Sequence, residues 1–227
     1  MQLSAQQRDV LERFAAAVAS SPHNLVSRRD RTELLTRHVP ESEAIGRLLP
    51  PGPARLLDIG TGGGFPGFVI AVTRPDLEVH LLDSTSKKTR FLAEIARELA
   101  VEVTVHTGRA EDLGRGDLAG GFDAVTARAV APLDRLVGLA APFLRAGGTL
   151  FAIKGERWRD ELDTARPVIA RAGLVVAATP EDAPVVPLGD PQRGGEPGSV
   201  SIPRVVMLRR NAAAREHRGV SESTDAN

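Results

Sequence analysis

Apolar positions in the first fifty residues recur at helical spacing. Leu11, Phe14, Ala15 and Val18 follow Ser4, which predicts a helix over about residues 4–20 with Ser4 as N-cap. Ser20-Ser-Pro-His-Asn breaks it. A second helix is expected over Arg31 to His38, stopped by Pro40, and a third from Glu41 to Leu49. Pro50-Pro-Gly-Pro then marks a boundary.

Beyond it, short apolar runs alternate with helical patterns. Strands are expected at Arg55–Ile59, Val79–Leu82, Val101–Val105, Phe122–Ala127, Gly148–Ile153, Leu174–Ala178 and Ser199–Leu208. Helices are expected from Phe68, over Lys87–Leu99 (Phe91, Leu92, Ile95 and Leu99 on one face), over Leu133–Leu144 and over Trp158–Ala172. This alternation indicates a doubly wound α/β fold, a mostly parallel seven-stranded sheet wrapped on both faces. The expected organisation is a helical cap at 1–50, an α/β domain at 51–210 and a polar, disordered tail at 211–227. Pro187–Gly198, rich in Gly and Pro, is expected to be a mobile loop.

Hydrophobic residues make up 42% of the 227, enough for a sizeable core. Lys+Arg and Asp+Glu are both 29, which argues against strong nonspecific nucleic-acid binding but leaves local basic patches open. Such clusters stand at Arg28-Arg29 with Arg31, Arg37 and His38, at Lys87-Lys88 with Arg90, and at Arg157 with Arg159. Each reads as an RNA footprint or as a solvated helix face. With no cysteine, disulfides and thiol nucleophiles are excluded. No metal-ligand set is read. No apolar run spans a bilayer and the N-terminus lacks a signal-peptide core, so a soluble cytoplasmic monomer is expected.

The strongest chemical signal is Leu56-Leu-Asp-Ile-Gly-Thr-Gly-Gly-Gly-Phe-Pro-Gly67, at the carboxyl end of the first strand. Asp83 ends the next strand, where a carboxylate suits the hydroxyls of a ribose. Together they indicate an adenosine-type ligand, either a dinucleotide or S-adenosylmethionine. Gly62, Gly64 and Gly67 formally satisfy the dinucleotide spacing. Asp58 favours the methyl donor: a carboxylate there would meet a cationic amino group or sulfonium, directly or through water, and would repel a pyrophosphate. Pro66 removes an amide that a phosphate would use. Having no tyrosine, the chain cannot carry a Tyr/Lys hydride-transfer site. Backbone groups of Ala110 and Glu111, after the third strand, are placed to read an adenine edge. For Glu111 a solvated helix start remains the alternative.

After the fourth strand, Phe122-Asp-Ala-Val-Thr-Ala-Arg-Ala-Val-Ala-Pro-Leu lacks the Asn/Asp-Pro-Pro-aromatic turn of amine methylation. Carbon-5 methylation of a pyrimidine needs a cysteine. A target that needs no deprotonation fits, and guanine N7 has a free in-plane lone pair. Catalysis would then rest on alignment, without a general base. Arg128 would hold the methionine carboxylate or orient the guanine through O6, unless it is a surface salt bridge. Lys154 would contact a phosphate or the base, unless it snorkels at the sheet edge. Trp158 reads as core.

These residues resemble the bacterial 16S ribosomal RNA guanine-N7 methyltransferases, the glucose-inhibited division protein B family. The resemblance covers roughly residues 10–210. It is carried by Asn24-Leu-Val-Ser-Arg-Arg-Asp, Leu35-x-Arg-His38, Asp58-Ile-Gly-Thr-Gly-Gly-Gly-Phe-Pro-Gly67, Leu82-Asp-Ser-x-x-Lys-Lys-x-x-Phe-Leu92, Gly108-Arg-Ala-Glu111, Ala127-Arg-Ala129 and Lys154-Gly155. It implies an S-adenosylmethionine cofactor touching Gly60, Phe65, Ala110, Glu111 and Arg128. It also implies a guanine of the small ribosomal subunit as target, and RNA engagement by the N-terminal helices. Members often carry Trp-Asn before the Asn-Leu segment, whereas this chain has Ser-Ser-Pro-His. A small-molecule methyltransferase, a nicotinamide oxidoreductase and a noncatalytic RNA-binding module are the competing readings.

Overall fold

The computed structural model describes residues 3–182 and 203–212. The expected loop at 187–198 and the tail beyond residue 212 lie outside them. Helix α1 (Ala5–Ser20) opens with a capping box: Ser4 Oγ accepts the Gln7 amide, and Gln7 Oε1 accepts the Ser4 amide. Gln7 Nε2 also donates to Val72 O at 2.8 Å, tying α1 to α3 (Gly67–Thr73).

Pro40 does not stop a helix. The chain runs from a 3-10 turn at Asp30–Thr32 through a π-helical turn at Leu34–His38 straight into α2 (Val39–Leu48), with Pro40 in the first turn. Proline is tolerated there because first-turn amides need no intrahelical acceptor.

The sheet comprises β1 (Ala54–Ile59), β2 (Leu77–Asp83), β3 (Thr104–Thr107), β4 (Phe122–Arg128), β5 (Leu144–Lys154), β6 (Leu174–Ala178) and β7 (Arg204–Arg210). Their order is β3-β2-β1-β4-β5-β7-β6, with β7 antiparallel to both neighbours. The remaining helices are α4 (Ser86–Glu98), α5 (Ala110–Leu113), α6 (Leu133–Ala140) and α7 (Trp158–Arg171).

Three boundaries move for local reasons. β3 starts at Thr104 instead of Val101, because Ala100 takes φ 53° and the Val101 amide returns to Ala96 O to close α4. The helix expected over 133–144 ends at Ala140, since Ala141–Phe143 tighten into a 3-10 turn and Leu144 already opens β5. The last strand begins at Arg204, and residues 199–202 lie outside the described residues.

Consecutive strand residues serve opposite faces. Leu56, Leu81, Ala124 and Phe151 join one cluster with α1, α3 and α4, while Leu57, Leu82, Val125 and Leu150 join another with α6 and α7. The N-terminal helices share the first cluster. Phe14 is fully buried and stacks on Phe68 at 4.0 Å between ring centroids. Truncating such a side chain to alanine costs about 3–5 kcal/mol, so α1 is packed as core and not laid on as an accessory. Trp158 is core, as expected.

Candidate active site

The chain leaves β1 toward β2 and leaves β4 toward β5, in opposite directions along the sheet. The carboxyl ends of β1 and β4 therefore flank a crevice at the switch in strand order. The glycine loop folds over it. The Gly60 and Thr61 amides donate to Leu82 O at 2.8 and 3.0 Å, and the Gly62 amide donates to Asp83 Oδ2 at 3.0 Å. Gly60, with φ +67°, needs glycine twice over: an added Cβ would sit 2.7 Å from Val130 Cγ2.

Asp58 does something other than face a ligand. It is fully buried and lines neither cavity. Its Oδ1 accepts the Thr126 hydroxyl at 2.8 Å and its Oδ2 accepts the Gly67 amide at 3.0 Å. Burial pushes its carboxyl up to about 6, against the lowering effect of those donors. Asp58 thus buttresses the loop from beneath. The first amide of α3 is taken by this carboxylate and Pro66 has none, so no pyrophosphate cradle is left there.

Gly64, an expected ligand contact, faces the core. At φ +95°, an added Cβ would lie 2.8 Å from Phe14 and 2.9 Å from Leu92. Its missing side chain lets the cap pack against the loop.

Two cavities meet at Gly60, Val130 and Ala131. The smaller, about 250 Å³, is edged by Asp83, Gly108, Ala110 and Glu111. The Asp83 carboxylate accepts the Gly62 and Thr85 amides and is 7% exposed at this edge. It does not cap α4, whose N-cap is Thr85. Ala110 and Glu111 open α5. The Glu111 carboxyl is held below its usual range by its own amide and by the Arg109 and Arg135 guanidiniums.

The larger cavity, about 720 Å³, is lined by Gly60, Gly62, Phe65, Arg128 and Lys154, and from the cap by Asp30, Arg37, His38 and Glu41. Arg128 is not a surface salt bridge. Its Nη1 donates to His38 Nδ1 at 2.5 Å, lies 3.7 Å from Glu41 Oε2, and its guanidinium stands 5.6 Å from the Phe65 ring centroid. Burial draws its pKa below the ordinary guanidinium value. His38 is lowered by burial and by Arg128. A neutral His38 accepting at Nδ1 carries its proton on Nε2, 3.2 Å from Asp30 Oδ1.

Lys154 reaches the same cavity but is not free to grip a ligand. Its Nζ donates to Ala131 O at 2.7 Å and pairs with Glu161 Oε2 at 2.9 Å, and the same oxygen accepts the Leu133 amide. It clamps the β4–α6 connection onto α7. Of the basic clusters, Arg37 is paired with Glu33 and Glu41, Arg159 with Glu181, and Arg28, Lys87, Arg90 and Arg157 are exposed.

The partners of these groups come from segments far apart in sequence. The sequence places Asp30 and His38 in segments that carry the family resemblance, Glu41 at a helix start and Thr126 in a strand, and assigns a site role to none of them. For Thr126 the signal available is a polar threonine inside the apolar run of β4.

The family model for rRNA small subunit methyltransferase G matches residues 7–183. The chain is 45% identical to ribosomal RNA small subunit methyltransferase G of Sorangium cellulosum over 163 residues, covering 69% of this chain and 68% of that protein. It is 40% identical to the protein of the same name from Mycolicibacterium smegmatis over 200 residues, covering 88% and 79%. Among solved structures, M. jannaschii TYW2 in complex with AdoMet superposes with a TM-score of 0.53 at 13% identity, over 76% of this chain and 74% of that one. The antibiotic-resistance methyltransferase Kmr superposes at 0.51 and 18% identity, over 75% and 92%. At such identities the structures speak for the fold alone.

Proposed function

The chain belongs to the rRNA small subunit methyltransferase G family, and from that premise we propose that it methylates N7 of a guanine in 16S ribosomal RNA from S-adenosylmethionine. The two joined cavities suit such a cofactor. Asp83 would take the ribose hydroxyls, and the backbone of Ala110 and Glu111 the adenine edge. Gly60, Gly62 and Phe65 would border the amino-acid end, with Arg128 beside them. When bound, the cofactor supplies a sulfonium methyl. The buried Asp58 cap on α3 speaks against a dinucleotide and so against a nicotinamide oxidoreductase.

One observation carries the choice of N7. The three carboxylates lining the larger cavity all stand against cations, Asp30 and Glu41 against Arg37 and Glu161 against Lys154, and His38 already accepts from Arg128. No uncommitted base stands there among the described residues. A nucleophile with a free lone pair needs none, so the protein's task is to align and to exclude water. Arg128, held rigidly by His38, would orient the guanine through O6 or hold the cofactor's carboxylate. Acting on ribosomal RNA implies the cytoplasm, and a monomer suffices for the site as drawn.

The test is transfer of a labelled methyl to small-subunit particles that lack the modification, followed by nucleoside digestion. Label in 7-methylguanosine is expected. Label on an amine or ribose oxygen would reject N7, and label appearing only in a metabolite pool would turn the reading toward a small-molecule substrate.

A further inference from the structure

Four cations line the larger cavity among the described residues: Arg37, Arg128, Lys154 and Arg204. Three of them are committed. Arg37 pairs with Glu33 and Glu41, Arg128 with His38 and Glu41, and Lys154 with Glu161. Arg204 is exposed, and its side chain makes no hydrogen bond or ion pair with any described residue.

Its position follows from the topology. Because β7 runs antiparallel, its first residue lies at the end of the sheet where the parallel strands finish. Arg204 is the register partner of Lys154, the last residue of β5. Between β1, which leads into Gly60, and β7 lie β4 and β5. Three strand spacings place the β7 backbone roughly 14 Å from that of β1. The smaller cavity opens on the other side of Gly60, past β2. Arg204 therefore stands at the rim farthest from the adenosine end of the site.

We infer that Arg204 binds a backbone phosphate of the RNA next to the base that enters the cavity. This rests on the RNA reading proposed above and names the group that positions the RNA. A base that leaves its stack to reach a buried donor leaves its phosphate outside, at the cavity mouth. Contacts to phosphate fix register and orientation without reading sequence. A guanidinium suits the task, since its planar fork offers two parallel donors to one phosphate and it stays charged at every working pH. With no carboxylate among the described residues to release, Arg204 gives up hydration to make the contact.

The experiment compares wild type with R204A and R204K on unmodified small-subunit particles, and measures S-adenosylhomocysteine affinity by calorimetry. R204A is expected to raise KM for the particle roughly tenfold with kcat little changed. S-adenosylhomocysteine affinity should hold. The slope of log affinity against log salt should fall by roughly one. R204K should keep the slope and recover only part of KM, because it keeps the charge and loses the fork. If R204A folds poorly, R204K alone still separates fork from charge. Unchanged KM and slope in R204A would overturn the assignment while leaving the methyltransferase reading intact. Weakened S-adenosylhomocysteine binding in R204A would overturn it by moving the residue into the cofactor site. A wild-type protein that labels no RNA would overturn both.

Discussion

Asp58 and Thr126 are register partners on neighbouring parallel strands, and the threonine hydroxyl donates to Asp58 Oδ1 at 2.8 Å. The other carboxylate oxygen receives the first amide of α3. One buried side chain thus joins β1, β4 and α3 beneath the glycine loop, which explains why it carries a charge where its neighbours are apolar.

That charge has a pH signature. Burial raises the folded carboxyl to about 6 from the unfolded 3.8. A raised folded value means the contribution is fully present below the unfolded value and is lost as pH rises through the folded one. Asp58→Asn keeps an acceptor for Gly67 and does not titrate. Relative to it, wild type should lose about 2 kcal/mol between roughly pH 4.5 and 7.5 in chemical denaturation. Parallel curves for the two proteins would refute the burial argument.

His38 works in the opposite sense. Its folded pKa is lowered, so its contribution is present above the ordinary imidazole value and is lost as pH falls through the lowered one. Protonation would set a cation against Arg128, though Asp30 and Glu41 also face the ring. The rate of methyl transfer should therefore show an acid limb below the ordinary imidazole range. His38→Gln, which keeps an acceptor, should remove the limb while retaining much of the rate. A pH–rate profile identical in both proteins would exclude this role.

Gly64→Ala tests the contact between cap and loop. The new Cβ meets Phe14 and Leu92 in a left-handed backbone conformation. A loss of about 2–4 kcal/mol is expected from strain and overpacking together. It should appear as a lower denaturation midpoint with an unchanged slope. Full stability in this variant would mean that α1 does not pack as described.

Lys154→Met should act on stability before catalysis. It leaves the Glu161 carboxylate, partly exposed, without its cation. A cost of about 1–3 kcal/mol is expected, at the low end for a pair that water can reach. S-adenosylhomocysteine affinity at a temperature where the variant is folded should be nearly unchanged. A large loss of affinity with stability intact would restore Lys154 to ligand contact.

The alternation of apolar runs and helical faces determined the fold class, because a strand buried on both faces and a helix buried on one leave different periods in the chain. The glycine loop and Asp83 pointed to the crevice for a similar reason: both lie within one β-α-β unit, where sequence separation and spatial separation nearly coincide. Tertiary structure alone decided which of these side chains are available. Asp58 and Lys154 were legible as charges near the crevice, but Thr126 and Glu161, which occupy them, arrive from other elements. The His38–Arg128 contact spans 90 residues, and Arg204 enters the site only because the last strand runs backwards. Pairing across such distances leaves no period in a sequence, since it depends on which elements the packed sheet brings side by side.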